Sequence, residues 1–233
     1  MIEIRRSDER GRFDHGWLKS YHTFSFADYF DRSWMHFRHL RVINEDFVEP
    51  GQGFPTHPHQ DMEIITYILD GALAHKDSMG NGSTILPGEI QYMSAGSGVT
   101  HSEFNPSPTE GVHLLQIWIF PWEKGLTPRY DQRKFEVGPQ FKCLVSPDNS
   151  DRRPDSVPIR QDAYIYAARL KQGEKVTQKL DGKRFAWLQV ARGEITLNGK
   201  RLEAGDAAGL TAELSVDVQG VSDHSEVVLF DLN

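Results

Sequence analysis

Four side chains in two short segments are of the types that bind transition metals. His57 and His59 are separated by one proline, and His101 and Glu103 are separated by one serine. Alternate side chains of a β-strand point to the same face, so each pair can aim at one point. Three imidazoles and a carboxylate suit a divalent first-row metal and would leave open positions on an octahedral ion. Because a substrate or dioxygen can bind there, the spacing indicates chemistry rather than structural support.

A second carboxylate competes with Glu103 for a role at this site. Glu63 follows His59 by four residues and therefore has the same strand parity, as Glu103 has with His101. Both carboxylates could face the interior, so either could be a ligand or a general base. The remaining histidines have no partner at such spacing in a matching motif, and we interpret them as surface or core residues: His15, His22, His36, His39, His75, His113 and His224.

The elements that must position these residues read as short strands. Apolar segments alternate with turn residues such as Asp70-Gly71 and Pro87-Gly88, and long helical periodicity is scarce. The segment 28–35 could hold a helical turn. This spacing predicts an all-β sandwich or barrel, with strands at 40–44, 63–69, 90–94, 114–120, 163–170, 185–191, 194–197 and 226–232.

Two related halves are predicted. A polar, proline-bearing stretch within 146–162 reads as a surface connection. A strand, a Gly turn, a strand and an apolar-x-Gly-acidic pattern occur at 67–89 and again at 188–206, which suggests a duplicated β-barrel. We therefore predict a metal-binding domain over residues 1–140 and a metal-free domain over 141–233. The second half offers no His-x-His pair, since 174–178 reads Glu-Lys-Val-Thr-Gln.

Composition narrows the classes of partner. The 233 residues carry a formal net charge of −7, which disfavours direct binding of nucleic acid because that rests on clustered Lys and Arg. Cys143 is the single cysteine, so no intramolecular disulfide can form, as in cytoplasmic proteins. The first residues lack the apolar core of a signal peptide, and no apolar run approaches the ~18 residues of a membrane span. We expect a cytoplasmic protein, and nothing in the sequence demands more than a monomer.

The residues around the histidines resemble the two cupin motifs, with Gly51, Gly88, Gly96 and Asn105 at near-standard distances. The chain further resembles the pirin family, densely over residues 15–135 and thinly afterwards. The resemblance is carried by the segments 16–18, 22–26, 40–44, 51–54, 56–59, 61–64, 77–81, 94–98, 101–105 and 116–119.

This resemblance implies a bicupin fold of two antiparallel β-barrel (jelly-roll) domains, of which only the first binds metal. It implies His57, His59, His101 and Glu103 as metal ligands, with Glu63 orienting a histidine from behind. We expect one divalent ion, with Fe(II) preferred on availability; Ni, Co, Cu, Mn and Zn remain alternatives because imidazole and carboxylate suit all of them.

The resemblance also implies an oxidoreductase that cleaves the heterocycle of flavonols such as quercetin with dioxygen and releases carbon monoxide. Glu103 or Glu63 would be the general base, and Phe54, Met93 and Phe104 are candidate pocket walls. Two alternatives stay open: a metal-binding regulator that acts through protein partners, and a cupin enzyme of other chemistry such as an isomerase. The aromatic stretch from Trp17 to Phe30 is expected to form core or a lid.

Overall fold

The computed structural model describes residues 1–149 and 153–233. Within these residues the regular elements are β-strands, together with one 3-10 turn at Ser7–Glu9. They form two compact units, one of Gly11–Phe135 with Ile159–Gln161 and one of Met1–Arg10, Glu136–Pro158 and Asp162–Asn233. The strands are β1 Ile2–Arg5, β2 Gly11–Asp14, β3 Leu18–His22, β4 Leu40–Val48, β5 Gly53–His59, β6 Glu63–Asp70, β7 Leu73–Asp77, β8 Gly82–Ile85, β9 Glu89–Ser94, β10 Val99–Phe104, β11 Val112–Ile119, β12 Arg129–Lys134, β13 Lys142–Pro147, β14 Val157–Ile159, β15 Ala163–Leu170, β16 Lys175–Lys179, β17 Phe185–Arg192, β18 Glu194–Leu197, β19 Lys200–Glu203, β20 Ala207–Thr211, β21 Ser215–Gly220 and β22 Ser225–Leu232.

The first unit contains two antiparallel sheets. The larger has the strand order β12-β9-β6-β11-β4-β3-β2, and the smaller has the order β5-β10-β7-β8. Apolar residues of β6 and β9, such as Ile64 and Met93, pack with Ala95 and Val99 into one buried cluster. The smaller sheet carries the His-x-His and His-x-Glu pairs on adjacent strands, β5 and β10.

The second unit repeats this layout, with a seven-stranded sheet β1-β20-β17-β22-β15-β13-β14 and a four-stranded sheet β16-β21-β18-β19. Its core is aliphatic and includes Leu188, Val190, Ile195 and Leu197. The predicted all-β class is confirmed. The predicted boundary near residue 140 stays a prediction, and the structure adds that β1 pairs with β20, so Met1–Arg10 belong to the second unit.

A glycine in the left-handed region joins equivalent strands in both units. Gly71 follows β6 with φ 76°, and Gly193 follows β17 with φ 69°. A Cβ atom would lie 2.5 Å from the Gly111 carbonyl oxygen at the first and 2.7 Å from the His224 carbonyl oxygen at the second. Both turns therefore require glycine, as the predicted duplication implies.

Two expectations from the sequence meet the structure differently. The helical turn expected at 28–35 is wrong, because the segment forms turns in which Ser25 Oγ bonds the backbone of Asp31 and Asp31 Oδ1 accepts the Ser33 N–H. Such local bonds compete with helix formation.

The expected connection at 146–162 includes residues 150–152, which lie outside the described residues. No helix in the described part of the chain is long and apolar enough to cross a membrane.

Candidate metal centre

Antiparallel pairing of β5 with β10 brings three histidines together. His101 lies opposite His57 and Val99 lies opposite His59 in the register of the two strands. One ring nitrogen of each histidine lies within 4.8 Å of the others. The His57 and His101 Nε2 atoms are 3.0 Å apart. Two imidazole nitrogens at adjacent octahedral positions, each about 2.1 Å from one ion, are also about 3.0 Å apart, so this donor set fits a metal.

Burial keeps two of the histidine rings, His59 and His101, in the unprotonated state that metal ligation requires. Burial, reinforced by His57, lowers the pKa of His59 to about 4. Burial and the neighbouring imidazoles lower the pKa of His101 to about 2. The His57 Nδ1 atom lies 2.8 Å from the Pro55 carbonyl oxygen, to which it donates its hydrogen. In the neutral ring the His57 Nε2 lone pair therefore faces His101, and ligation costs His59 and His101 no proton near neutral pH.

Glu103 is fully buried on the same strand as His101. It belongs with His75 and His101 to a second set of ligand atoms that lie within 4.8 Å of one another. Gln116 donates its Nε2–H to Glu103 Oε2 at 3.1 Å. Burial raises the pKa of Glu103 to about 7; the Gln116 bond opposes this rise and the nearby Asp46 carboxylate adds to it. A carboxyl group with this pKa can take up or release a proton at neutral pH.

Glu63 lies apart from the histidines. Its carboxylate accepts hydrogen bonds from the Tyr92 hydroxyl, from Ser94 Oγ at 2.6 Å and from the Arg160 backbone N–H at 3.1 Å. The alternation of side chains that predicted a shared face for His59 and Glu63 does not hold, because β5 ends at His59 and Asp61 has φ 50° before β6 begins. The structure thus gives Glu63 neither a histidine partner nor a place on the cavity wall.

A cavity of about 380 Å³ opens beside the three histidines. Three aromatic side chains, Phe26, Phe54 and Trp118, line it, with Phe26 contacting Trp118 edge-to-face at 5.2 Å. Phe54 was predicted as a wall of the substrate pocket, and it lines this cavity. The prediction of Met93 as a pocket wall is wrong, since Met93 lies in the buried cluster of β6 and β9. Phe104 is wrong too, because it is 40% exposed and does not line the cavity.

Polar side chains on β4 and β11 form the rest of the cavity lining. Asn44, Asp46 and Gln116 line it beside Glu103. The Asn44 Oδ1 atom is buried and has no hydrogen-bond partner. Asp46 Oδ1 accepts the Ser20 hydroxyl at 2.5 Å, and burial raises the pKa of Asp46 to about 7. The cavity therefore offers hydrogen-bond acceptors to a ligand that carries hydroxyl groups.

Sequence reasoning missed His75, which it assigned to ordinary structure. His75 is buried on β7, and its Nδ1 atom lies 3.4 Å from His101 Nδ1. The available signal was the i, i+2 pair of His75 and Asp77, the same spacing that marked the other two segments. Both groups of potential ligands found among the described residues lie in the first unit, and the metal-free character of the second stays a prediction.

Two tandem seven-plus-four-stranded units, one of which holds the histidine cluster, define a bicupin chain. A profile of the family named Pirin matches residues 3–119, and a profile named quercetinase C-terminal cupin domain matches residues 143–232. The chain belongs to the pirin family.

Similar proteins span the whole chain. It is 48% identical over 232 residues to a quercetin 2,3-dioxygenase of Escherichia coli K12, covering all of this chain and 99% of that protein. It is 43% identical over 234 residues to a pirin-like protein of Caulobacter vibrioides, covering 99% of each. A crystal structure of the E. coli pirin YhhW in complex with nickel(II) is 48% identical, with a TM-score of 0.93 over all of this chain and 99% of that one.

Proposed function

We propose that this protein is a metal-dependent dioxygenase that opens the heterocycle of flavonols such as quercetin with dioxygen and releases carbon monoxide. The observation that carries the proposal is the convergence of the His57, His59 and His101 imidazoles beside an aromatic-lined cavity whose wall also holds the buried carboxyl group of Glu103. The E. coli relative that bears the quercetin 2,3-dioxygenase name, 48% identical over the full chain, supports the same reaction class.

The proposed ligands are His57, His59, His101 and Glu103. Fe(II) is our preferred metal on availability, and the nickel(II) complex of the E. coli relative supports a divalent ion of this kind. A metal bound by these residues would supply Lewis acidity and could bind dioxygen and a substrate oxygen.

The protein's own residues bind the substrate and manage its proton. Phe26, Phe54 and Trp118 hold flat aromatic rings by their faces and edges. The free Asn44 Oδ1 accepts a hydrogen bond from a phenolic hydroxyl, which would otherwise leave a buried acceptor unpaired. Glu103 takes the proton of the flavonol 3-hydroxyl at a carboxylate oxygen while Gln116 keeps the carboxylate in place. Glu63 is left out of this role because three other donors occupy its oxygens.

The same proposal covers partners and location. We expect an aromatic small molecule and dioxygen as the reactants, with no direct contact to nucleic acid or membrane, and a monomer in the cytoplasm. The net charge of −7 and the single cysteine support these expectations.

The test is turnover of quercetin by protein loaded with Fe(II) or, separately, Ni(II). We expect oxygen uptake and carbon monoxide release, lowered more than 100-fold in His57→Ala and His101→Ala. The matched control is His15→Ala, since His15 is exposed in the same unit. Undiminished turnover in His101→Ala would contradict the metal mechanism, and no turnover by any loaded form would favour the regulatory alternative.

A further inference from the structure

Two buried residues of β7 lie in a row behind His101. The His75 Nε2 atom is 3.2 Å from Asp77 Oδ2, and the His75 Nδ1 atom is 3.4 Å from His101 Nδ1. The other nitrogen of His101 faces His57 at 3.0 Å. The row therefore runs from a carboxylate through two imidazoles to the candidate metal position.

Asp77 begins the row as a fixed hydrogen-bond acceptor. Its Oδ1 atom accepts the backbone N–H groups of Met79 at 2.9 Å and Asn81 at 3.0 Å, and the Asn81 amide donates to both oxygens. Burial would raise the pKa of Asp77, but the Asn81 and His75 hydrogen bonds outweigh it and hold the pKa below its usual value. An ionised carboxylate can only accept, so the hydrogen between Asp77 and His75 is on His75 Nε2.

The position of the hydrogen on His75 determines which hydrogen-bond role its other nitrogen offers to His101. A neutral imidazole carries one hydrogen, so His75 Nδ1 is an acceptor, and Gln91 also donates to it at 3.2 Å. His101 donates to this acceptor when its hydrogen is on Nδ1, which leaves its lone pair on Nε2; in the other tautomer of the metal-free protein it donates Nε2–H to His57 Nε2 at 3.0 Å instead. His57 reaches the same state separately by donating Nδ1–H to the Pro55 carbonyl. With His101 in its Nδ1–H form, both lone pairs point at the same place.

We propose that His75 and Asp77 are positioning residues that set the metal-ligating tautomer of His101. The proposal rests on the metal site proposed above. Tyr130 stacks on the His75 ring with centroids 5.2 Å apart, and its hydroxyl lies 2.5 Å from Ser83 Oγ, which fixes the plane of the His75 ring. A ligating histidine is commonly oriented by an acceptor at its other nitrogen; here that acceptor is a second histidine backed by a carboxylate.

The sharpest test is Asp77→Asn, which should reverse the direction of the hydrogen bonds between residue 77, His75 and His101. The backbone N–H groups of Met79 and Asn81 keep the amide oxygen at the Oδ1 position, so the amide nitrogen faces His75 and donates to it. His75 then carries its hydrogen on Nδ1, and His101 is forced to carry its own on Nε2. In metal-free protein, ¹⁵N-histidine NMR should show that the fraction of His101 in the Nδ1–H tautomer falls relative to wild type, in favour of Nε2–H. Binding of Ni(II), followed by competition with a chelator, should weaken roughly 10–100-fold.

A second variant and a control guard against simple loss of folding. His75→Phe removes the acceptor while filling the space, so the Nδ1–H fraction of His101 should fall again and Ni(II) binding should again weaken. Asp28→Asn removes the same charge at an exposed position and should change neither measurement. An unchanged fraction of the Nδ1–H tautomer of His101 in Asp77→Asn would overturn the proposal, as would Ni(II) binding within twofold of wild type in both variants. Because the tautomer is read without metal, a wild-type protein that fails to bind Ni(II) would refute the metal site and leave this test intact.

Discussion

The four-stranded sheets of the two units share one strand layout but carry different inward side chains. In the order β5-β10-β7-β8 the central strands hold His101, Glu103 and His75, whereas in the order β16-β21-β18-β19 the buried positions of the central strands include Val216, Val218 and Ile195. The first unit keeps a cavity of about 380 Å³ beside its histidines, and the second packs these aliphatic side chains into its core. The comparison teaches that the scaffold supplies positions while the inward residues decide between chemistry and stability.

The largest expected effect on stability lies in the second unit. Leu197→Ala should lower the free energy of unfolding by roughly 2–5 kcal/mol, because Leu197 is fully buried in the aliphatic core. His59→Ala in the metal-free protein should change it by less than about 1 kcal/mol, since the His59 ring lies at an open cavity. Urea denaturation of both variants gives the measurement. Equal losses would show that the two interiors contribute alike.

A smaller expected effect is a pH dependence of stability that arises from Asp46 in the first unit. Burial raises the pKa of Asp46 from its ordinary value of 3.8 to about 7 in the folded protein, so its contribution to stability is fully present below pH 4 and is lost as the pH rises to 7. Asp46→Asn stays uncharged and should remove that loss, stabilising metal-free protein by at most about 4 kcal/mol at pH 8. Thermal unfolding at pH 5 and pH 8 measures the difference. A pH slope identical to wild type would contradict it.

The smallest effect has the opposite sign and lies in the second unit. Asp217 accepts the hydroxyls of Thr177 at 2.6 Å and Ser215 at 2.7 Å, and these bonds lower its pKa. Its contribution is present above the unfolded pKa and is lost as the pH falls through the folded pKa. Because Asp217 is exposed, Asp217→Asn should change stability by no more than about 0.5 kcal/mol, and only above pH 4. A larger change in stability for Asp217→Asn than for Asp46→Asn would contradict this ranking of the two units.

The sequence was sufficient wherever a single strand carried the information. The i, i+2 spacing of His57 with His59 and of His101 with Glu103 fixes their faces without knowledge of the partner strand. Parity failed for Glu63 because a turn at Asp61 interrupts the strand. Met93 could not be assigned to a face because nearly every position of β9 is buried, which leaves no alternation to read. His75 reaches His101 only through the pairing of β7 with β10, a register that local sequence does not specify.

The pairing of β1 with β20 has a consequence for synthesis and for truncated proteins. Ile2 lies opposite Leu210, so β1 is synthesised about 200 residues before the strand with which it pairs. A fragment over 1–140 would carry β1 without its partner, and one over 141–233 would present the bare hydrogen-bonding edge of β20 to other chains. Separate expression of the halves would therefore favour aggregation unless residues 1–10 are transferred to the C-terminal fragment.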